Sequence, residues 1–328
     1  MTNELPEEEQ LKSCRQVVLD TLEKVSPGEM LSFENLDIVP LHIGNGHALP
    51  YLLLWDAIEA GVLEVTEVDE SGEVPRLKVV NKADKPVLIL AGDELIGAKQ
   101  NRIVNATMIV PAAADLVMPV SCVERGRWNY RSRTFAAGRR ASYRLRRETT
   151  RDVRRNVRET GEFDSDQGRV WSEVDNLNRA MGAASPTDAM AAGFDKAAGK
   201  LEKFKERLAY PEKATGLAVF INGRLVGLEL FEHPDILRKV WDSHVQSYAI
   251  DAITVQKEAR DGAPSTEAVN ECSRRITESL EAPRKSPGEG YDVGLEEADL
   301  VGAALVNDGR VVHLQTFSDP VPDEGEEV

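Results

Sequence analysis

Thirteen arginines and no lysine fall between Arg125 and Arg158, a window with only two acidic residues, Glu148 and Asp152, in a chain of formal net charge -16. Half of the chain's arginines are gathered there. A fold built on this sequence has to give that charge a counterpart. Arginine is preferred to lysine where a flat, forked donor grips a carboxylate or phosphate in two places, so the bias points to specific pairing. Two counterparts are open: an anionic ligand, or acidic surface belonging to the protein itself or to an acidic partner subunit.

The remaining chain is more acidic still, and most of its surface should repel nucleic acid and anionic membranes. Arginines interleaved with Trp128, Tyr130, Phe135 and Tyr143 could stack on bases, but the acidic balance weighs against nucleic-acid binding. At 328 residues, 41% hydrophobic and 29% charged, the chain can bury a substantial core in one large or two closely packed domains. Cys14, Cys122 and Cys272 are too dispersed for a disulfide framework, and His42, His47, His233, His244 and His313 form no zinc spacing. No metal or cofactor is expected. The acidic stretch from Met1 to Gln10 lacks the features of a leader, and no apolar run reaches membrane-spanning length, so the expected location is cytoplasmic.

The periodicities suggest an α+β protein: a β-sandwich or cupin-like β-rich core, a helical middle region and C-terminal hairpins. Residues 1–30 read as a peripheral N-terminal helix, with Leu11, Val18, Leu22 and Val25 on one stripe. Residues 31–130 form the β-rich part, with strands over 35–41, 62–68, 76–81, 86–91, 102–110 and 115–123 and a helix over 49–60. His42 to His47 reads as a loop. Residues 131–215 form an Arg-rich helical region, in which Ser185-Pro186 has the grammar of an N-cap and first turn for a helix running to Leu208. Residues 216–318 form an α+β part packing with the first, with helices over 234–257 and 265–280. Residues 319–328 form an acidic tail expected to be disordered. Gly216–Phe231 and Gly302–Phe317 resemble each other as hairpins turning at Asn222-Gly223 and Asn307-Asp308-Gly309. They either occupy equivalent places in one sheet or share only hairpin grammar.

Two segments could carry chemistry. Ala91-Gly-Asp-Glu-Leu-Ile-Gly-Ala-Lys-Gln-Asn-Arg102 sets Glu94, Lys99, Gln100, Asn101 and Arg102 among turn-forming glycines, an acceptor, two cations and two amides suited to a hydroxylated, phosphorylated molecule. It has neither a Walker lysine nor dinucleotide spacing, and by pattern alone it fits a β-turn tied down by its own amides somewhat better than a ligand site. Pro119-Val-Ser-Cys-Val-Glu-Arg-Gly-Arg-Trp128 leaves a strand and enters the Arg window. Cys122 reads as a small core residue. Glu124, between Arg125 and Arg127, should stay ionised, and Trp128 could stack on a base or an arginine plane.

These segments, with Ser165-Asp-Gln-Gly-Arg-Val-Trp171, resemble a domain family named for its association with ADP-ribosylglycohydrolase (ARG) and rhodanese-phosphatase superfamily proteins. The likeness covers most of residues 35–255. It places Glu94, Lys99, Gln100, Asn101, Arg102, Cys122, Glu124, Arg127, Trp128, Gln167 and Trp171 at the family's polar signature positions. Ala98 stands where glycine is expected in many members. The resemblance implies a role near NAD-derived or nucleotide metabolism and brings no catalytic assignment.

The functional expectation is a pocket where the two segments converge on a phosphate-bearing nucleotide or an ADP-ribose-like, NAD-derived small molecule. Lys99, Gln100, Asn101, Arg102, Arg127 and Trp128 are the candidate binding residues. If the chain is an enzyme, hydrolysis or transfer at a glycosidic or phosphate-ester bond would use Glu94 or Glu124 on water, with Arg102 or Arg127 balancing charge. The alternative is a non-catalytic interaction or scaffold protein whose Arg-rich region docks an acidic protein partner or a second copy of the chain.

Overall fold

A run such as Gly216-Leu-Ala-Val-Phe-Ile221 is apolar on both parities, which a strand tolerates when both its faces are covered. The computed structural model, which describes residues 7–44, 49–69, 74–255 and 264–319, supplies that cover. In chain order the elements are α1 (Glu7–Leu22), β1 (Ser26–Pro27), β2 (Leu31–Phe33), β3 (Leu36–His42), β4 (Leu52–Leu53), α2 (Leu54–Glu59), β5 (Leu63–Glu67) and β6 (Arg76–Asn81). There follow β7 (Val87–Ile89), β8 (Asp93–Gly97), β9 (Arg102–Val104), β10 (Met108–Val110), β11 (Asp115–Cys122) and β12 (Phe135–Arg140). The helical middle comprises α3 (Tyr143–Glu159), α4 (Gln167–Met181) and α5 (Ala191–Arg207). The chain continues with β13 (Gly216–Ile221), β14 (Arg224–Phe231), α6 (Pro234–Thr254), α7 (Thr266–Ser279), β15 (Arg284–Lys285), β16 (Tyr291–Glu297), β17 (Leu300–Asn307) and β18 (Arg310–Ser318).

The architecture is α+β. The largest sheet is antiparallel in the order β1-β3-β13-β14-β18-β17-β16-β15, with β2 also paired to β3. One face buries Val39, Ala218, Phe220 and Leu228 with Val18 of α1 and Ile276 of α7; the other carries Ile38, Leu217 and Val219 into a core shared with α4, α5 and α6. A six-stranded sheet, β12-β8-β9-β11-β6-β5, curls until its edge strands β12 and β5 touch, making a half-barrel around Leu77, Leu95, Val104 and Met118. The three-stranded sheet β10-β7-β4 contributes Val87, Ile89 and Met108 to the same core. No helix among the described residues is long and apolar enough to cross a membrane.

The two similar hairpins occupy equivalent places. β14 and β18 pair at the middle of the large sheet, with Gly227 opposite Phe317, Glu229 opposite Gln315 and Phe231 opposite His313. A local two-fold axis therefore passes between Glu229 and Gln315. Both hairpins turn through two residues of positive φ, Asn222-Gly223 and Asp308-Gly309, as a type I′ turn requires. Both carry a register shift at matching places, Val219/Phe220 and Leu305/Val306.

Helix α3 spans this axis. Ser142 caps it by accepting the Leu145 N–H, and positions 146, 150, 154 and 158 then fall one above the other. Arg146 donates to Glu229 Oε1 at 2.9 Å and lies between the rings of Tyr248 and Phe317, 5.0 and 4.9 Å from their centroids. One turn on, Thr150 Oγ1 accepts from Gln315 Nε2 at 3.4 Å. Arg154 pairs with Asp292, and Arg158 pairs with Glu296 and, at 2.7 Å, with Glu281. Glu229 also accepts from Tyr248 Oη at 2.8 Å, and His244 Nε2 and His313 Nε2 stand 3.1 and 3.4 Å from its Oε2. Burial opposes its ionisation, but Arg146 and His244 outweigh burial and hold its pKa well below the usual carboxylate range. Arg140 bonds to Asp93 at 2.7 Å, Arg125 to Asp188 at 2.8 Å and Arg155 to Asp152 at 2.9 Å. Much of the Arg window is thus paired within the chain.

Several elements depart from the sequence expectations. Helix α1 is not peripheral, since Cys14, Val18 and Leu22 are buried on the large sheet. The helix expected from Leu49 shrinks to Leu54–Glu59, because Leu52 and Leu53 pair with β7 instead. The strand expected over 102–110 breaks at Asn105, whose side chain bonds to Phe163 O and Ser121 Oγ, and β9 and β10 join different sheets. The polar stretch 91–102 contains strand β8, and the region expected to be helical contains β12. Ser185 Oγ accepts the N–H groups of Thr187 and Ala189 in a turn, and α5 starts only at Ala191, because Met190 is bound to Val123 O. The loop tip at His47, the end of the 234–257 helix at Lys257 and the tail 320–328 lie outside the described residues.

The two-fold predicts paired mutational costs. A Cβ at Gly216 would lie 2.5 Å from Glu229 O, and one at Gly302 would lie 2.2 Å from Gln315 O, so neither clash can be relieved by a side-chain rotation. Gly216→Ala and Gly302→Ala are each expected to lower stability by about 2 kcal/mol in urea denaturation. A wild-type midpoint in either variant would contradict the close strand approach.

Candidate functional site

The two polar segments meet because β8 and β9 form a hairpin whose loop, Ala98 to Asn101, lies beside the end of β11. Ala98 takes φ +39, a conformation that favours glycine and accounts physically for glycine being expected there. The loop is pinned from outside by Arg127. Its Nη1 donates to Ala98 O and Asn129 O at 2.6 and 2.9 Å, and its Nη2 to Gly97 O, Asn101 Oδ1 and Glu124 Oε2 at 3.2, 3.1 and 2.7 Å. Gln100 Nε2 donates to Arg125 O, and Gln100 Oε1 accepts from Arg102 Nη1 and Cys122 Sγ, each at 3.2 Å. From α4, Gln167 bonds to both the N–H and the carbonyl of Cys122 at 2.8 Å, docking the helix as a strand would dock.

Two glutamates share Asn101. Its backbone N–H donates to Glu124 Oε2 at 3.2 Å, and its side-chain amide donates to Glu94 Oε1 at 3.4 Å. Burial tends to raise the Glu124 pKa, but the bonds from Arg127, Asn101 and Thr187 prevail and hold it below the ordinary value. Glu94 is the opposite case. Burial pushes its pKa up to about 7, only partly offset by the Arg139 N–H on Oε2 at 3.2 Å. Gly138 makes room for this carboxyl, as a Cβ there would lie 2.8 Å from Glu94 Oε2. The site thus pairs an ionised carboxylate with one that can hold a proton near neutrality, the division of labour that acid–base chemistry uses. Cys122 is fully buried, and burial raises its thiol pKa despite Arg102.

A cleft of about 530 Å³ opens over this cluster, lined by Asn101, Glu124, Arg131, Ser185, Thr187 and Lys196 among others. Thr187 Oγ1 donates to Glu124 Oε1 at 3.0 Å, and Arg131 Nη2 stands 3.9 Å from the same oxygen. The structure brings Gln100, Asn101, Glu94, Glu124 and Arg127 together. Of the residues expected from the sequence only Asn101 and Glu124 line the cleft; Glu94, Gln100, Arg102 and Arg127 are buried behind them, and Lys99 and Trp128 also lie outside the lining. Arg125, expected to flank Glu124, turns away to Asp175 and Asp188. Thr187 and Lys196 had no sequence signal, because a loop far downstream supplies Thr187 and helix α5 supplies Lys196; Arg131 was one of the thirteen arginines of the window, with nothing local to set it apart. Among the described residues, no group of His, Cys, Asp or Glu could hold a metal ion.

Fold and site together define a mainly antiparallel α+β protein with a paired-carboxylate cluster under a surface cleft. The chain belongs to the ARG and Rhodanese-Phosphatase-superfamily-associated Protein domain family (ARPP-1), whose model matches residues 24–317. No curated protein and no solved structure matches it.

Glu94 gives the site a pH signature. A carboxyl whose folded pKa lies above its unfolded value costs stability as pH rises from about 4.5 toward 7. Glu94→Gln should therefore match wild type below pH 4.5, gain on it through that interval and level off above pH 7 at about 3 kcal/mol. Urea denaturation across pH 4–8 checks this, and a constant difference would refute the raised pKa.

Proposed function

We propose that the cleft binds a phosphate-bearing nucleotide or an ADP-ribose-like, NAD-derived small molecule. The observation that carries this reading is the joint hold of Asn101 on Glu94 and Glu124 beneath an open cleft edged by Arg131 and Lys196. The cations suit an anionic group. The site suits hydrolysis or transfer at a glycosidic or phosphate-ester bond, with Glu124, the carboxylate that lines the cleft, taking the proton of the incoming water or hydroxyl and the Arg131 and Lys196 cations offsetting charge on the departing oxygen. The family's name, which records association with ADP-ribosylglycohydrolase, agrees in chemistry. Arg127 is engaged by five acceptors, so its part is to fix Glu124 and the loop. The reading in which the Arg-rich region docks an acidic partner or a second copy draws less support, since Arg140, Arg146 and Arg154 are buried in pairs of the chain's own making.

A thermal-shift series with ADP-ribose, NAD and AMP tests the proposal. A ligand at about 100 times its Kd adds about 2.7 kcal/mol, which raises Tm by several degrees. The rise should shrink in Arg131→Ala and Lys196→Ala, whose side chains are solvent-facing and whose loss should not unfold the chain. Absence of any shift with all three compounds at millimolar concentration would refute it.

A further inference from the structure

Arg102 is fully buried, and its Nη1 is used by Gln100 Oε1 and Asn101 O, but its Nε and Nη2 meet no hydrogen-bond partner. Those two N–H groups form the parallel edge of a guanidinium that grips an oxyanion side-on. A buried edge of this kind without a partner is costly in a folded protein and calls for an explanation. Nearby, Glu67 accepts the Lys99 N–H on Oε1 at 3.3 Å, while its Oε2 is also buried without a hydrogen-bond partner. The guanidinium lies 6.0 Å from the ring centroid of Trp128, and Trp128 and Tyr130 are 45% and 51% exposed. Lys99 Nζ sits 5.2 Å from both ring centroids. Between Arg125 and Thr134 the backbone belongs to no helix or strand, so no ladder fixes the two rings in place.

Resting on the nucleotide reading above, we infer that Arg102, Glu67, Trp128 and Tyr130 form the subsite for a mononucleotide unit, its phosphate on the Arg102 edge and its base stacked on the aromatic pair. The chemistry of the vacant groups is selective. Arg102 asks for an acceptor and Glu67 for a donor, which a nucleotide offers in its phosphate and in a ribose hydroxyl or exocyclic amine, and which inorganic phosphate does not offer in the same geometry. A base ring has a π-face for either aromatic side chain, whatever its sequence identity. The Lys99 ammonium, within reach of both rings, moves aside to the phosphate on its flexible stem when the base enters.

AMP, adenosine and inorganic phosphate added to the full chain test this by tryptophan fluorescence and thermal shift together. AMP should quench part of the emission of the four tryptophans and raise Tm. Trp128→Phe keeps an aromatic face, so it should retain the Tm rise and lose the quench. Trp128→Ala should weaken AMP by on the order of tenfold. Arg102→Lys, which keeps the charge and loses the fork, should weaken AMP while leaving adenosine unchanged; should that variant not fold, the two Trp128 variants decide alone. AMP that raises Tm with no change in Trp128 emission and equal affinity for Trp128→Ala would place the nucleotide elsewhere, overturning this inference and sparing the cleft reading. No response to AMP in either measurement would overturn this inference, and the cleft reading with it only if ADP-ribose and NAD also give no shift.

Discussion

The contact between Arg146 and Glu229 governs how the halves of this molecule fit. Both groups are wholly buried, and moving two such charges out of water costs several kcal/mol each unless geometry and further hydrogen bonds compensate. Here the compensation comes from separate parts of the chain: Tyr248 and His244 from α6, His313 from β18, and Arg140 from β12 of the half-barrel. Each contributes to keeping the carboxylate charged in a dry interior. Each is also thereby located, so the half-barrel, the large sheet and α6 are registered against one another at a single point.

Arginine serves this role for reasons of shape. A lysine at 146 could carry the charge, but it could not lie flat between Tyr248 and Phe317 while donating both to Glu229 and to Ser247. The same helix repeats the device at four-residue intervals, so that its polar stripe reads across the sheet while Leu145, Val153 and Val157 enter apolar cores alongside. An acidic chain with a concentrated basic window has in effect divided a large electrostatic attraction into individually directed bonds.

The parts of this design visible in the sequence are those set locally. Type I′ turns at Asn222-Gly223 and Asp308-Gly309, the capped start of the helix at Ser265 and the apolar runs of β6 and β11 follow from residues within a few positions of each other. Strand β12 escaped notice because Phe135-Ala-Ala-Gly-Arg-Arg140 has weak strand propensity, and its place is fixed by pairing with β8. The early start assigned to the helix at Leu49 has the same origin in reverse, since a tertiary pairing with β7 captures residues of good helical pattern. At the site, the meeting of the two polar segments was legible from their composition. So was the ionised state of Glu124, from its arginine neighbours; the raised pKa of Glu94 was not, because Gly138, which makes room for its buried carboxyl, lies far along the chain.

The axis between β14 and β18 has a consequence for how such a sheet could have arisen. Two identical hairpins meeting across a dyad would set the same residue against its own copy at the centre, and a carboxylate there would face another carboxylate. A single polypeptide carrying both hairpins escapes that constraint, because its two central positions are encoded separately. This chain has Glu229 on one side and Gln315 on the other. Tandem duplication followed by divergence at one codon would thus convert a self-repelling centre into one that can gather arginines, and the asymmetry gives α3 a single preferred direction across an otherwise near-symmetric floor.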